Sequence, residues 1–511
     1  MQTGPEPRHT LKHSDATPHS DSSLAGIVPQ AVRWTLVVIA VATMLRLAVA
    51  ALLPLGEDEA YAIGIARQFS LSYYDHPPLH FWLVGGWAKL WGDESVWLLR
   101  LPFVALAALS SWLIFGLTRR LFGDPAAVWA VVLFNVAPVF GVAHGTLVLP
   151  DGPLLAASLG VAVVLARIVS VDDGSPQLGR WALAGGLAGL ALLSQDHGVL
   201  LVAGVLGFLM TTRHRRWLAT PGPWLAAAIA AVMFTPVIAW NWQNDWASFA
   251  FQAGRGDGDG FKLLGLVQSL TGQAAYLVPW FLVALAIVWV RALLGGPKRE
   301  GRWLLACLAT LPIVIFTALT LRNPGLPHWP MPGWLFVLPL LGEALAGLRS
   351  WLRAASRAVV ALTAVAVVGL VGLGIAQARW GVLDLQPDPT ALLQPWDELK
   401  GQLEARGLPA DGRTFIASRN WRRAGQLNTL FGKDVPVLCL CRDGKHFAYA
   451  NPPANYAGWT GILIDVPGAL RDSEPLTGWF ASLTPAEDVS LTKAGKVMYG
   501  LVLRVGTGFR P

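Results

Sequence analysis

Carboxylates and imidazoles near the ends of apolar runs are the side chains of this sequence best suited to chemistry. Asp58 and Glu59 follow the first long apolar run in "GEDEAYAIGIARQF", and Asp75 and His76 precede two prolines in "SYYDHPPLHFW". A carboxylate can act as a general base when it lies within hydrogen-bond reach of a hydroxyl group. Because Pro77–Pro78 restrict the backbone before them, we expect a stiff turn that presents Asp75 and His76.

Two later segments add acids at the edges of apolar runs. Asp151 opens a run in "VLPDGPLL", and Asp196 and His197 lie in "LLSQDHGVLL". Ionisable residues at membrane depth are functional candidates by default. Oxygen ligands such as those of Asp58, Asp75 and Asp151 can hold a divalent metal, for which Mg, Mn and Zn are the candidates.

Basic side chains that suit a phosphate group occur further along the chain. Arg255 lies in "FQAGRGDG", and Arg322 and His328 lie in "LRNPGLPHWPMPGW". The planar guanidinium group matches the spacing of phosphate oxygens. Together with a carboxylate base, these residues suit the transfer of a group from a lipid-anchored phosphate donor.

The composition is that of a membrane protein. Of the 511 residues, 54% are hydrophobic and 14% are charged, whereas soluble domains are usually about a quarter charged. The net charge of +7 comes with arginines clustered between apolar runs, where the positive-inside rule explains them, so we expect no nucleic-acid partner. The three cysteines have no disulfide or zinc spacing, and we expect Cys439 and Cys441 to be ordinary buried thiols on one face of a strand.

Hydropathy predicts about eleven membrane-spanning helices, because each needs roughly 20 mostly apolar residues. The candidate spans are 33–53, 98–118, 125–143, 151–169, 181–195, 197–212, 223–241, 274–292, 302–321, 331–348 and 356–377. Basic residues concentrate in alternate loops, and the short opposite loops carry only Arg322. The positive-inside rule then makes the polar tail, residues 1–30, a disordered cytoplasmic segment.

An α-helical membrane domain is therefore predicted over residues 31–379, with a long first outer loop at 54–97. In that loop we expect the helical stretch after Asp58 to lie along the membrane surface, and His80 to lie at the membrane interface. From residue 380 the sequence changes to short β-rich runs, "RTFIAS", "PVLCLC", "TGILIDV" and "VMYGLVLRV". These runs predict a soluble α/β domain over 380–511, which an odd number of spans puts outside.

Each candidate acid also has a structural interpretation. Asp151 before Gly152-Pro153 fits a helix N-cap, Glu57 fits a solvated loop acid, and Asp75 with His76 fits a hydrogen-bonded turn. Chemistry is favoured because four separate segments bring carboxylates to one membrane face. Proton or ion transport would instead need acids midway along the spans, so their position at the edges favours an enzyme.

Six sequence blocks in order resemble the bacterial branch of the dolichyl-phosphate-mannose-protein mannosyltransferase superfamily. This branch includes the lipid A aminoarabinose transferases, and its members share the GT-C glycosyltransferase fold. The blocks are "DEAYAIGIARQFSLSYYDHPPL", "LRLPFVALAAL", "VLPDGPLL", "LLSQDHGVLL", "FTPVIAWNWQNDWASFAFQAGRG" and "LRNPGLPHWPMPGW".

The resemblance implies an inverting hexosyl or pentosyl transferase of a bacterial inner membrane with a periplasmic active site. Its donor would be a sugar on undecaprenyl phosphate or another polyprenyl phosphate, and its acceptor lipid A, another glycolipid or a glycan. A protein acceptor, as in O-mannosyltransferases, is the alternative within the enzymes. A non-catalytic binder or transporter of lipid-linked sugars is the alternative outside them.

The resemblance also assigns roles to single residues. Asp58 matches the catalytic base and Glu59 the second acid of the same pair, while Asp151 matches a contact to acceptor or metal. The Asp75-His76 pair matches residues that reach the metal or the donor phosphate. Residues expected at the donor phosphate are His76, Arg255, Arg322 and His328. Residues expected in substrate recognition are Tyr61, Asp196 and His197.

One position departs from the pattern of this superfamily. Relatives often read Ser-Lys-Tyr where this chain has Ser194, Gln195 and Asp196. The chain therefore lacks a lysine expected to contact the lipid phosphate, and it carries an acid beside that position. Asp196 is then a candidate for recognising a basic or hydroxyl-rich sugar, or for binding metal.

Overall fold

The structure is a computed structural model that describes residues 29–511 except a few short segments. These segments are 172–174, 256–259, 324, 386–387, 391–392, 394–395, 410–411, 472–475, 477 and 494–495. The tail predicted to be disordered and cytoplasmic lies almost wholly outside the described residues, which begin at Pro29.

The part of the chain before residue 381 is helical. Its helices are α1 Gln30–Leu52, α2 Glu57–Ala66, α3 Leu79–Trp91, α4 Val96–Phe122, α5 Asp124–Val136, α6 His144–Thr146, α7 Asp151–Val169, α8 Leu178–Ser194, α9 Gly198–Thr211, α10 Pro221–Gln243, α11 Ala247–Gly254, α12 Leu263–Leu277, α13 Pro279–Gly295, α14 Glu300–Leu319, α15 Met331–Ala346 and α16 Ser350–Trp380. A π-helical turn, Val139–Ala143, leads into α6.

Six of the described helices are long and apolar enough to cross a membrane alone, namely α1, α4, α7, α10, α14 and α16. Two pairs reach that length only together and are sharply bent, by 79° between α5 and the segment Val139–Thr146 and by 104° between α12 and α13. The structure is therefore that of a polytopic membrane protein.

Every predicted span coincides with one of these helices or with a shorter apolar one, but the predicted number of crossings is not confirmed. Length and composition give six membrane-crossing helices, or up to 8 if each bent pair crosses once. The three shorter helices, α8, α9 and α15, are about 21–26 Å long at 1.5 Å per residue, which is less than the ~30 Å hydrocarbon core.

Helix α7 is the central element of the bundle. It packs against α4, α8, α9 and α15, and nearly all its residues are buried. An apolar helix without a polar face needs such an all-round apolar environment. Its first residue, Asp151, is consequently fixed at one end of the bundle.

Helix α2 is not a surface helix, which corrects the prediction made from its spacing. All its residues from Glu59 to Ala66 are buried, because they pack against a helix of the C-terminal domain. The helix begins after Gly56, whose N–H donates to the Glu59 carboxylate. Three acids in its first turn suit the positive end of the helix dipole.

The C-terminal part contains the predicted α/β domain. Its elements are α17 Asp397–Glu404, β1 Thr414–Ser418, α18 Trp421–Phe431, β2 Val437–Cys439, α19 Phe447–Ala450, β3 Thr460–Asp465, α20 Pro467–Leu470, β4 Phe480–Leu483, β5 Glu487–Lys493 and β6 Lys496–Phe509. The strand order is β2-β1-β3-β6-β4, and β5 pairs with β6. The pairs β1–β2 and β1–β3 are parallel, while β6 runs antiparallel to its neighbours.

Close backbone contact joins this domain to the first outer loop. A Cβ atom on Gly425 of α18 would lie 2.8 Å from the Tyr61 backbone nitrogen of α2, so only glycine permits this approach. Arg67 donates from its guanidinium group to the carbonyl oxygens of Asn428 and Thr429. The domain is thus anchored to the loop that carries Asp58.

Cys439 and Cys441 form a disulfide bond, so the expectation of two free thiols was wrong. Strand β2 ends at Cys439, and the chain turns there, so the two side chains do not follow a strand. The turn brings their Cα atoms to 5.4 Å, which is within the range that a disulfide requires.

Candidate active site

A cavity of about 730 Å³ lies where the first outer loop, the ends of the helical bundle and the C-terminal domain meet. It brings together residues from segments far apart in sequence. The predicted residues that line it are Asp58, Glu59, Tyr61, Asp75, His76, Asp151, Asp196, His197, Arg255 and His328.

Asp58 presents a free carboxylate to this cavity. Its side chain forms no hydrogen bond or ion pair among the described residues and is accessible from the cavity interior. The surrounding protein raises the pKa of the carboxyl group by desolvation, and the positive charge of Arg422 opposes that rise. A carboxylate without partners can accept the proton of a bound hydroxyl group.

Glu59 has a structural role, and the prediction that it is a second reacting acid has no geometric support. Its carboxylate accepts two hydrogen bonds from Arg100, at 2.9 and 2.5 Å, and a third from the Val148 N–H at 3.0 Å. Both side chains of the pair are buried. Arg100 also binds carbonyl oxygens at the end of α1, so this pair fixes the start of α2.

Tyr61 lines the cavity and positions Asp75. Its hydroxyl group donates to Asp75 Oδ1 at 2.6 Å and accepts from the His446 N–H at 3.1 Å. Gln252 donates to the carbonyl oxygen of Asp75 at 2.8 Å. The Asp75-His76 turn is therefore held in place by α2, by α11 and by the C-terminal domain.

The imidazole of His76 lies beside Asp75 without a hydrogen bond between them. The distance from His76 Nε2 to Asp75 Oδ2 is 3.9 Å. Burial lowers the pKa of His76, and the charge of Asp75 only partly offsets this effect. His76 is therefore neutral at pH 7 and offers one N–H donor. His80 is also buried and lines the cavity, which corrects its expected place at the membrane interface.

Asp151 lies against a second imidazole at the end of the central helix. Its Oδ1 atom is 3.5 Å from His144 Nε2, and both side chains are buried. His144 and Gln195 line the same cavity, although no sequence pattern singled out His144. Asp151 forms no N-cap hydrogen bond for α7, so the interpretation as a helix cap is not supported.

Asp196, His197 and His328 also line the cavity. Burial raises the pKa of Asp196 to about 6, lowers that of His197 to about 3 and lowers that of His328 to about 4. The two imidazoles are therefore neutral at pH 7. They can donate hydrogen bonds to a phosphate, but they do not supply positive charge.

Arg255 carries a positive charge into the cavity, and Arg322 does not. The Arg255 guanidinium stacks over the rings of Phe251 and Trp329, at 4.7 and 5.3 Å from the centroids. Within the described residues no carboxylate lies at ion-pair distance from it. Arg322 is exposed and lies outside the cavity lining, so its predicted phosphate contact has no geometric support.

The C-terminal domain supplies cavity residues that sequence reasoning missed. Trp421 and Arg422, at the start of α18, and Lys445, in the loop after the disulfide, all line the cavity. Arg422 lies 3.6 Å from Glu57. The sequence "CRDGKHFAYA" carries basic and aromatic residues directly after the two cysteines, but nothing in its spacing links it to Asp58.

No group of three or more His, Cys, Asp or Glu side chains in the described part of the chain is arranged to hold a metal ion. Of the predicted ligands, Asp75 is bound by Tyr61 and Asp151 faces His144. In this geometry the predicted ligands Asp58, Asp75 and Asp151 therefore do not fit a metal site. The cavity instead combines a free base, neutral imidazole donors and cationic side chains.

In sequence, this chain is similar to one protein family and to one relative of known activity. Residues 75–240 match the model of the family Dolichyl-phosphate-mannose-protein mannosyltransferase. The lipid A galacturonosyltransferase RgtD of Rhizobium johnstonii is 28% identical over 193 residues, which are 37% of this chain and 38% of that protein. The aligned part thus spans well under half the length of this relative.

Structural comparison extends the likeness over nearly the whole chain. ArnT from Cupriavidus metallidurans bound to undecaprenyl phosphate superposes with a TM-score of 0.63 and 17% sequence identity, over 93% of this chain and 98% of that protein. The apo state of the same protein gives a TM-score of 0.62. At this identity the likeness concerns the fold.

The bundle, the long first outer loop and the C-terminal sheet domain define a membrane protein with the GT-C fold. The family match in the first half of the chain agrees with that fold. The chain thus resembles this mannosyltransferase family over residues 75–240 and shares the fold of ArnT over most of its length.

Proposed function

We propose that this protein is an inverting glycosyltransferase that moves a sugar from a polyprenyl-phosphate donor to an acceptor hydroxyl of the cell envelope. The observation that carries the proposal is the carboxylate of Asp58, which has no hydrogen-bond or ion-pair partner among the described residues and lines the same cavity of about 730 Å³ as Arg255. A base and a phosphate-binding cation in one cavity are what this reaction requires.

In the proposed reaction, the acceptor oxygen attacks the anomeric carbon and gives its proton to Asp58. The bond between the anomeric carbon and the phosphate oxygen breaks, and its electron pair stays with the phosphate. Arg255 stabilises the negative charge that develops there, while the neutral imidazoles of His76 and His328 donate hydrogen bonds. Attack from the side opposite the leaving group inverts the configuration at the anomeric carbon.

We propose undecaprenyl phosphate as the lipid carrier and lipid A as the acceptor class. ArnT superposes over most of the chain in a form bound to undecaprenyl phosphate, and the relative from Rhizobium johnstonii is a lipid A galacturonosyltransferase. The family match to protein mannosyltransferases makes a protein hydroxyl the second candidate acceptor.

The cavity and the C-terminal domain are proposed to face the periplasm from a bacterial inner membrane. The disulfide between Cys439 and Cys441 supports this orientation, because disulfides persist in oxidising compartments. A cysteine introduced at the exposed Glu404 of α17, in a Cys307→Ser background, should react with a membrane-impermeant thiol reagent in intact spheroplasts. Labelling only after permeabilisation would contradict the orientation.

The acceptor class is tested by mass spectrometry of lipid A, envelope glycans and surface proteins from a strain lacking the gene. The proposal expects lipid A to lose the mass of one sugar, and the purified protein to restore it from an undecaprenyl-phosphate sugar. If only surface proteins lose sugar, the acceptor is a protein hydroxyl and not lipid A. No change in any class would contradict the transferase function.

A further inference from the structure

Lys445 comes from the C-terminal domain and yet lines the same cavity as His76 and Arg255. Neither its position in the sequence nor its domain predicts that place. It lies between a disulfide-closed turn, Cys439–Cys441, and α19. The question is whether this lysine is only part of the domain's packing or contacts the ligand.

The loop that carries Lys445 is held rigidly against the first outer loop. The next residue, His446, donates its N–H to the Tyr61 hydroxyl at 3.1 Å, and its Nδ1 atom accepts from the Tyr74 N–H at 3.2 Å. The backbone of Lys445 has a φ of 50°, a conformation that residues other than glycine seldom adopt. Such strain is typical of functional sites, where surrounding contacts enforce it.

Lys445 and Arg255 share one aromatic ring. The Lys445 Nζ atom lies 4.1 Å from the centroid of Phe251, and the Arg255 guanidinium carbon lies 4.7 Å from the same centroid. The negative charges of Asp75, Asp196 and Asp443 act on Arg255 and favour its charged form. Asp443 pairs with Lys445 at 2.8 Å, whereas the Arg255 guanidinium has no ion-pair partner in the described part of the chain.

The imidazoles of His76 and His328, which line the same cavity, add no positive charge to it because they are neutral at pH 7. The remaining cation of the cavity, Arg422, lies beside Glu57. The other two cations of the cavity, Lys445 and Arg255, lie at the ring of Phe251. An unpaired guanidinium beside an ammonium group suits a phosphate, which a guanidinium fork binds through two oxygens.

We propose that Lys445, together with Arg255, binds the phosphate of the lipid donor and stabilises the charge it gains during transfer. This assignment rests on the proposed function. The donor is a phosphate diester with one negative charge, and breaking the bond to the sugar leaves a monoester with a second negative charge. Arg255 balances the first charge, and Lys445 balances the second as it develops.

The loop of the C-terminal domain that carries Lys445 is therefore part of the proposed donor site.

The test measures equilibrium binding of undecaprenyl phosphate, and of uncharged undecaprenol, to the purified full-length protein in detergent. We expect Lys445→Met to weaken binding of undecaprenyl phosphate about 10- to 100-fold, the size of one charge-assisted hydrogen bond, and to leave undecaprenol binding unchanged. Lys445→Arg should keep the affinity. In turnover, Lys445→Met should lower kcat more than it raises KM, because the second charge develops only during the reaction.

Two control variants separate ligand binding from packing. Lys433 is a lysine of the same domain that pairs with Glu94 at 3.4 Å and lies outside this cavity, so Lys433→Met should change nothing. Asp443→Asn removes the partner of Lys445 and should keep or strengthen phosphate binding. If Asp443→Asn and Lys445→Met both weaken binding and lower the unfolding temperature equally, the role is structural and the proposal is overturned.

The outcomes distinguish this assignment from the proposed function. Wild-type protein that fails to bind undecaprenyl phosphate contradicts the transferase function and the assignment with it. Wild-type protein that binds, with Lys445→Met binding equally well, overturns only the assignment of Lys445. If Lys445→Met keeps the phosphate affinity but loses turnover with an acidic-sugar donor, the lysine contacts a sugar carboxylate and the phosphate assignment is overturned.

Discussion

At the scale of single residues, the acids that line the cavity differ in what binds them. Glu59 is surrounded by Arg100 and a backbone N–H, and Asp75 is bound by Tyr61. Asp58 has no such partner among the described residues and faces the cavity. Sequence spacing singled out all three, but only the packed structure separates the supporting acids from the one that is free to react.

The protonation of Asp58 should depend on Arg422. A general base must be ionised, so activity is lost as pH falls through its pKa, which burial here raises above the ordinary value. Arg422 lowers that pKa by its positive charge. Arg422→Gln therefore removes a lowering effect, and we expect the acid limb of the kcat/KM profile to move to higher pH.

The measurement is kcat/KM for sugar transfer over a pH range from about 4 to 9. Arg471→Gln is a matched control, since Arg471 is an exposed arginine of the same domain that pairs with Asp488 outside the cavity. A limb that stays in place or moves to lower pH in Arg422→Gln would rule out Asp58 as the titrating base.

At the scale of secondary-structure elements, the contact between α2 and α18 decides whether the cavity is complete. Gly425 permits the backbones to touch, and the N-terminus of α18 then places Trp421 and Arg422 over the cavity. Trp421 packs edge-on against Tyr61, with 5.2 Å between the ring centroids. If these two helices separated, Arg422 would move away from Asp58 and would no longer lower the pKa of its carboxyl group.

We expect Gly425→Ala to lower both stability and transfer. The new Cβ atom would lie 2.8 Å from a backbone nitrogen, which cannot rotate away, and overpacking of this kind costs about 1–3 kcal/mol. Gly401→Ala is the control, because Gly401 lies inside α17 with open space around it. Thermal unfolding and turnover of both variants check this, and a fully active Gly425→Ala protein would contradict the proposed role of the contact.

The sequence patterns predict the helices and strands of this chain, but they do not predict the contacts between its two domains. The apolar runs predicted the helices, and the β-rich runs after residue 380 predicted strands, because hydrophobic periodicity is a local property. The same periodicity put α2 on the membrane surface, since the partner that buries it lies in another domain. Cys439 and Cys441 were assigned to a strand that ends between them.

At the scale of the whole molecule, one cavity unites residues from both halves of the chain. Tyr61 and His446, which bond to each other, are 385 positions apart. Asp58, Asp151, Arg255 and His328 could be selected from the sequence because each stands near the end of an apolar run. Lys445 and Arg422 could not, because their place depends on how the C-terminal domain docks. The predicted domain division at residue 380 therefore separates parts that contribute to a common site.

The most direct test of the central claim compares wild-type protein with Asp58→Asn, using purified enzyme, an undecaprenyl-phosphate sugar and lipid A. Asparagine keeps the shape of the side chain but cannot take the proton, so we expect sugar transfer to fall by about 10²–10⁴-fold. Binding of undecaprenyl phosphate and the unfolding temperature should stay at the wild-type values. Turnover of Asp58→Asn near that of the wild type would contradict the assignment of Asp58 as the base.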